Sequence, residues 1–128
     1  MQIRRAVQRD SEIIARLAAA AAEEEGVQSS LDIDRVRAHA FGQNALFEAW
    51  LAQERSNAPV LGQAVISKSY DFRRAAPNVV LCELYVAPEA RRSGLARKLM
   101  SCVARRARDL GARELAITTG VENEVAQR

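Results

Sequence analysis

The chain has 128 residues, of which 48% are apolar and 27% charged, the balance of a folded globular domain and not of a disordered chain. Its net charge of +3 comes almost wholly from arginine, since Lys68 and Lys98 are the only lysines, and no dense basic block is present of the kind that nucleic-acid binders carry. The longest apolar run, Leu17 to Ala22, stops at three glutamates and is far too short to span a bilayer.

In chain order, Gln2 to Val7 is predicted as a first strand. Asp10 or Ser11 then caps a helix to about Glu25, with Ile13, Ile14, Leu17, Ala18 and Ala21 on one face. Asp32 caps a shorter helix to about Phe41, closed by Gly42. Leu46 to Gln53 reads as a strand, "RSNAP" as a turn, and Val60 to about Ser69 as its hairpin partner. "DFRRAAPN" is predicted as a second connection and Asn78 to Val86 as a strand rich in β-branched residues.

After a loop, "VAPEARRSG", comes the clearest helix. Leu95, Leu99, Cys102, Val103, Ala107 and Leu110 recur at helical spacing, and Gly111 sits at the C-terminal cap. Glu114 to Thr119 is a further strand, and Asn123 opens a last helix. The order β-α-α-β-β-β-α-β-(α) implies an α/β fold, a mixed sheet with helices on both faces.

The short loop between Val86 and Leu95 is basic, through Arg91 and Arg92, and runs straight into a helix. A helix N-terminus presents unpaired N–H groups and about half a positive charge, which suits a phosphate. Gly94 leaves room for close approach to the backbone, and Ala96 keeps the first turn narrow.

The stretch "LCELYVAPEARRSGLARKLM" resembles motif A of the GCN5-related N-acetyltransferases (GNAT), [Q/R]-x-x-G-x-[G/A] following V-x-P. Here it reads Arg91-x-x-Gly94-x-Ala96 after Val86-x-Pro88, upstream of an Asn-x-x-Ala stretch at Asn123 and Ala126. The resemblance implies the family's fold and acetyl-coenzyme A as co-substrate. It implies that Leu84, Tyr85 and Val86 pair with the pantetheine arm, and that Arg91, Arg92, Ser93, Gly94, Leu95, Ala96 and Arg97, with Asn123, form the cofactor site. The stretch from His39 to Phe72, followed by Leu81 to Val86, looks most like the diamine (polyamine) N-acetyltransferase branch.

The sequence departs from the family pattern at three places. Arg92 stands where glycine is frequent, and Cys82 and Glu83 stand where the diamine branch carries a Glu-Asp pair. The family's thiolate-protonating tyrosine and its last two strands have no counterpart up to Arg128. The domain, residues 1–128, is therefore expected to be C-terminally short, with an open edge that favours a homodimer. The alternative to an active enzyme is an acetyl-coenzyme A-binding protein of impaired catalysis.

In a regular strand Glu83 and Tyr85 share one face while Cys82, Leu84 and Val86 share the other. Glu83 is the candidate for taking a proton from the acceptor ammonium, and no metal site is expected. Cys82 and Cys102 read as small buried hydrophobes in a reduced compartment. His39, Tyr70 and Tyr85 are weaker acid–base candidates. Glu23, Glu24, Glu25, Asp32 and Asp34 make an acidic connection suited to a cationic amine. Arg97, Arg105, Arg106 and Arg108 read as the solvated face of their helix. The expected enzyme is a cytoplasmic N-acetyltransferase acting on the primary amine of a small cationic molecule.

Overall fold

The computed structural model describes residues 1–117. Strand β1, Gln2–Arg5, passes through a 3-10 turn at Gln8–Asp10 into helix α1, Ser11–Glu25. Gly26, at φ 72, ends α1 in the left-handed conformation that glycine adopts without steric cost. Helix α2, Ile33–His39, begins where the Asp32 side chain accepts a hydrogen bond from the Arg35 N–H at 2.8 Å, which satisfies one of the helix's unpaired donors. Strands β2, Phe47–Gln53, β3, Val60–Asp71, and β4, Ala76–Val86, form a meander. Helix α3, Leu95–Asp109, leads to β5, Leu115–Ile117.

The sheet has the spatial order β1-β2-β3-β4-β5. The first four strands run antiparallel, and β5 lies parallel to β4 after the α3 crossover. Helices cover both faces. On one face, Ile14 of α1 and Val36 of α2 pack with Ala49 and Leu51, while Leu17 and Ala21 pack against Tyr85. On the other, Leu95, Leu99, Val103 and Ala107 of α3 pack on Ala52, Ala64, Ile66, Leu81, Leu84 and Val86. Full burial of each leucine or valine is worth about 1.5–3 kcal/mol. That holds the start of α3 against the end of β4.

The closeness of this contact depends on Gly62 in β3. A Cβ there would stand 3.0 Å from the Tyr85 carbonyl oxygen and 3.2 Å from Leu99 Cδ1. No side chain fits without moving backbone or α3.

Three local expectations change. The hairpin is longer than expected: β3 runs to Asp71 and β4 starts at Ala76, so Ala76 and Pro77 belong to the strand and not to a connection. Pro77 is tolerated because it pairs with Tyr70 of β3 near the strand's beginning, before β4's contact with β5, which starts at Val79. The register of β4 also slips: Val65 pairs with Glu83 but Ile66 pairs with Leu81, so Cys82 is an extra, bulged residue. Leu81 and not Cys82 therefore continues the face of Leu84 and Val86, and Cys82 is exposed, contrary to its reading as a buried hydrophobe. Finally, Arg106 turns in towards the sheet and bonds the Glu48 carboxylate, Nε to Oε1 at 2.7 Å, instead of joining a solvated stripe. The last helix expected at Asn123 lies outside the described residues.

Candidate functional site

Strand β4, the loop and the first turn of α3 meet at one end of the sheet. Beyond Leu81, which pairs with Ile117, β4 has no partner on the β5 side among the described residues. Within this run Leu84 and Val86 are buried towards α3, while Tyr85 is 5% exposed and packs under α1. The side chains of Leu84–Val86 thus anchor this end of β4 in the cores on both faces of the sheet, and the Val86 carbonyl accepts from Arg91 Nε.

The loop takes a tight course. Pro88–Ala90 form a 3-10 turn, the Ser93 hydroxyl donates to the Ala90 carbonyl at 2.5 Å, and the Lys98 N–H closes the first helical bond to the Gly94 carbonyl. Gly94 has φ 83 and Arg92 has φ 65. Arg92 thus occupies, with a side chain, a left-handed conformation that costs roughly 1 kcal/mol or more for a non-glycine residue. Among the described residues, no backbone N–H from Arg92 to Arg97 donates to another group. Among the described residues, a Cβ on Gly94 would meet nothing within 4 Å, so the space beside this glycine is open. Unpaired amides, a helix N-terminus and clear approach fit a phosphate group.

The arginines divide. Arg92 and Arg97 are exposed at the rim. Arg91 is drawn inward: its Nε donates to the Val86 carbonyl at 2.9 Å, its guanidinium pairs with Glu24 at the end of α1, and it lies over the Tyr85 ring. Arg91 therefore shapes the loop and ties it to α1. Leu95 is 2% exposed and sits in the core, so its backbone alone faces the loop. Ala96 is half-buried against the same cluster. Asn123, the remaining expected cofactor residue, lies outside the described residues.

Glu83 projects to the α1 side of the sheet together with Tyr85, as strand alternation predicts. Its Oε2 accepts from Gln63 Nε2 at 2.8 Å. Gln63, on β3, carried no signal in the sequence, since one polar residue within the apolar run Val60 to Ile66 says nothing of its partner. The expected acidic connection is partly neutralised from within: Glu24 pairs with Arg91, and Asp32 accepts from its own helix and from the Arg35 guanidinium. Glu23 and Glu25 are exposed and make no ion pair among the described residues. His39 is exposed at the end of α2 and Tyr70 is 58% exposed on the protruding hairpin. Burial pushes the Cys102 thiol up, against a smaller opposing effect of Arg105, so it is held as a thiol.

Residues 12–128 match the model of the acetyltransferase (GNAT) family. The chain belongs to the acetyltransferase (GNAT) family. Its solved structural neighbours agree. A protein described as a probable acetyltransferase superimposes with a TM-score of 0.80 at 26% identity, covering 99% of this chain and 84% of its own. An integron cassette protein from the mobile metagenome of Cole Harbour Salt Marsh gives 0.80 at 26%, covering 98% and 82%. An aminoglycoside acetyltransferase from an uncultured soil metagenomic sample, solved in complex with sisomicin, shares the fold with a TM-score of 0.74 at 19% identity over 98% and 82%. No curated protein matches the sequence significantly. GNAT membership implies use of acetyl-coenzyme A, and the open loop amides are the feature of this chain that fits its pyrophosphate. Among the described residues no helix is long and apolar enough to cross a membrane.

Proposed function

We propose that this GNAT protein transfers the acetyl group of acetyl-coenzyme A to the primary amine of a small cationic acceptor, of diamine or polyamine type. The observation that carries the reading is the junction of β4 and α3. Among the described residues, six successive amides there lack an internal acceptor, and a Cβ on Gly94 would meet nothing within 4 Å. The Arg92–Arg97 amides and the helix N-terminus hold the pyrophosphate, with Arg92 and Arg97 adding charge at the rim, and the Leu84–Val86 edge pairs with the amide-bearing pantetheine arm. Acetyl-coenzyme A supplies the acetyl group as an activated thioester.

Glu83 acts as the base. An ammonium has no lone pair, so it must lose a proton before it can attack a carbonyl. The Glu83 carboxylate takes that proton, and Gln63 keeps the carboxylate in place. Glu23 and Glu25, on the helix end that closes over Tyr85 through Glu24 and Arg91, offer a second ammonium of the acceptor a counter-charge.

Two measurements test this. Calorimetry should show acetyl-coenzyme A binding to the wild type and severe loss in Gly94→Val, and unchanged affinity would sink the cofactor placement. Coenzyme A release should be followed with diamines, polyamines, aminoglycosides and peptides as acceptors, since one neighbour is an aminoglycoside acetyltransferase and another a ribosomal-protein-alanine N-acetyltransferase. Preference for peptides over every polyamine would overturn the acceptor class. Glu83→Gln should lower turnover near neutral pH and much less at high pH, where the amine is already neutral.

A further inference from the structure

Among the described residues, one buried side-chain polar atom has no hydrogen-bond partner, the Oε1 of Gln63. Gln63 is fully buried on the face of β3 beneath α1, in register with Leu51 on one side and Tyr85 on the other. Its amide nitrogen bonds two acceptors, Glu83 Oε2 at 2.8 Å and the main-chain carbonyl of Ile14 on α1 at 3.3 Å. An ionised carboxylate and a carbonyl can only accept, so the amide has one sensible orientation, nitrogen towards both. The oxygen is then left without a donor in a place sealed from solvent. Native proteins seldom leave such an atom bare, and an internal water is the usual donor.

We propose that Gln63 is the positioning residue of the candidate base: its amide holds Glu83 as an oriented carboxylate and ties it to α1 through the Ile14 carbonyl. This rests on the reading of Glu83 as the proton acceptor. A hydrogen bond donated to the charged form of a carboxylate favours that form and keeps it ready to take a proton. The bond to Ile14 makes the same amide a strut between α1 and β4, so the position of the helix is transmitted to the carboxylate. Gln63 Oε1 has no exposed surface, so the acceptor amine does not reach it, and the influence of Gln63 on the site runs through its bond to Glu83. Among the described residues, Tyr85 shares this face of β4, and Arg91, over its ring, pairs with Glu24 of α1.

The titration of Glu83 can be followed without any substrate, by carbon NMR of glutamate side chains labelled in the full chain, with Glu83→Gln identifying the signal. In Gln63→Met, which keeps the shape and removes the donor, Glu83 is expected to titrate about one unit higher than in the wild type. In Gln63→Glu, which sets a second carboxylate against it, the rise should be larger. The acid limb of the kcat/KM profile should move with it, about a tenfold loss at a pH on that limb, while the affinity for acetyl-coenzyme A stays unchanged. An unmoved Glu83 titration in both variants overturns the proposal. If Glu83→Gln leaves the pH–rate profile intact, the reading of Glu83 as base falls, while the NMR titration still decides whether Gln63 controls that carboxylate.

Discussion

The guanidinium of Arg91 lies 5.8 Å from the ring centroid of Tyr85 and bonds the next residue's carbonyl, that of Val86. With Glu24 it forms a clasp joining the end of α1, the end of β4 and the loop. The ion pair is partly exposed, so its direct contribution to stability is at most about 1 kcal/mol, and its main effect is to cover Tyr85. Arg91→Ala should therefore leave the unfolding midpoint nearly unchanged yet open the ring to solvent. The chain has two tyrosines, Tyr70 at 58% and Tyr85 at 5% exposure. Nitration of the wild type should modify Tyr70 alone, and of Arg91→Ala both. Modification of Tyr70 alone in the variant would show that the clasp does not shield the ring.

Arg92, at φ 65, carries backbone strain that a glycine would not. Relief of that strain is offset in part by the greater freedom of glycine in the unfolded chain. Arg92→Gly is expected to stabilise the protein by up to about 1 kcal/mol, a rise in Tm of roughly 3–5 °C for a chain of this size. Calorimetric unfolding checks the sign. A lower Tm would mean that the Arg92 side chain makes stabilising interactions that outweigh the strain.

Gly62→Ala should do the opposite. The new methyl would stand 3.0 Å from backbone, the Tyr85 carbonyl, and 3.2 Å from Leu99. Overpacking of this kind costs about 1–3 kcal/mol, and the relief open to it is movement of α3 away from the sheet. Denaturant unfolding should show the loss. Affinity for acetyl-coenzyme A should fall with it, since the α3 N-terminus is part of the proposed site.

Acid sensitivity should come from two carboxylates. For Glu48, burial pushes the carboxyl up, but the hydrogen bonds from Arg106 and Trp50 and the charge of Arg5 outweigh it and hold it below the usual range. For Asp10, the paired hydrogen bonds from Arg4, at 2.8 and 2.9 Å, lower the carboxyl against a smaller cost of burial. A carboxylate depressed by folding stabilises fully above its unfolded value, near 4, and that contribution is lost as pH falls through the lower folded value. Stability should therefore be flat above about pH 5 and decline below about pH 4. Glu48→Gln and Asp10→Asn should each flatten that decline. An unchanged acid limb in both would remove these pairs as its source. Glu48→Ala should cost about 3 kcal/mol or more at neutral pH, by leaving partly buried arginines without their carboxylate.

The order of the described elements and the basic strand–loop–helix junction were legible in the residues alone. Helical spacing from Leu95 to Leu110, strand alternation, the Asp32 cap and the glycines at 26, 94 and 111 are local signals, each read within a few residues of where it acts. The face shared by Glu83 and Tyr85 followed from the same short-range periodicity. What the folded chain alone decided lies between residues far apart in sequence. Glu48 and Arg106 are separated by 58 positions, Glu24 and Arg91 by 67, and Gln63 and Glu83 by 20. No periodicity encodes which of many arginines a given carboxylate meets, because that depends on how the helices and sheet settle against each other. The bulge at Cys82 is of the same kind: strand alternation assumes unbroken register, and the extra residue that exposes this thiol is set by pairing with β3. Composition and pattern thus carry the elements and the loop. The clasp, the Glu48–Arg106 pair and the Gln63–Glu83 bond exist only where packing brings distant side chains together.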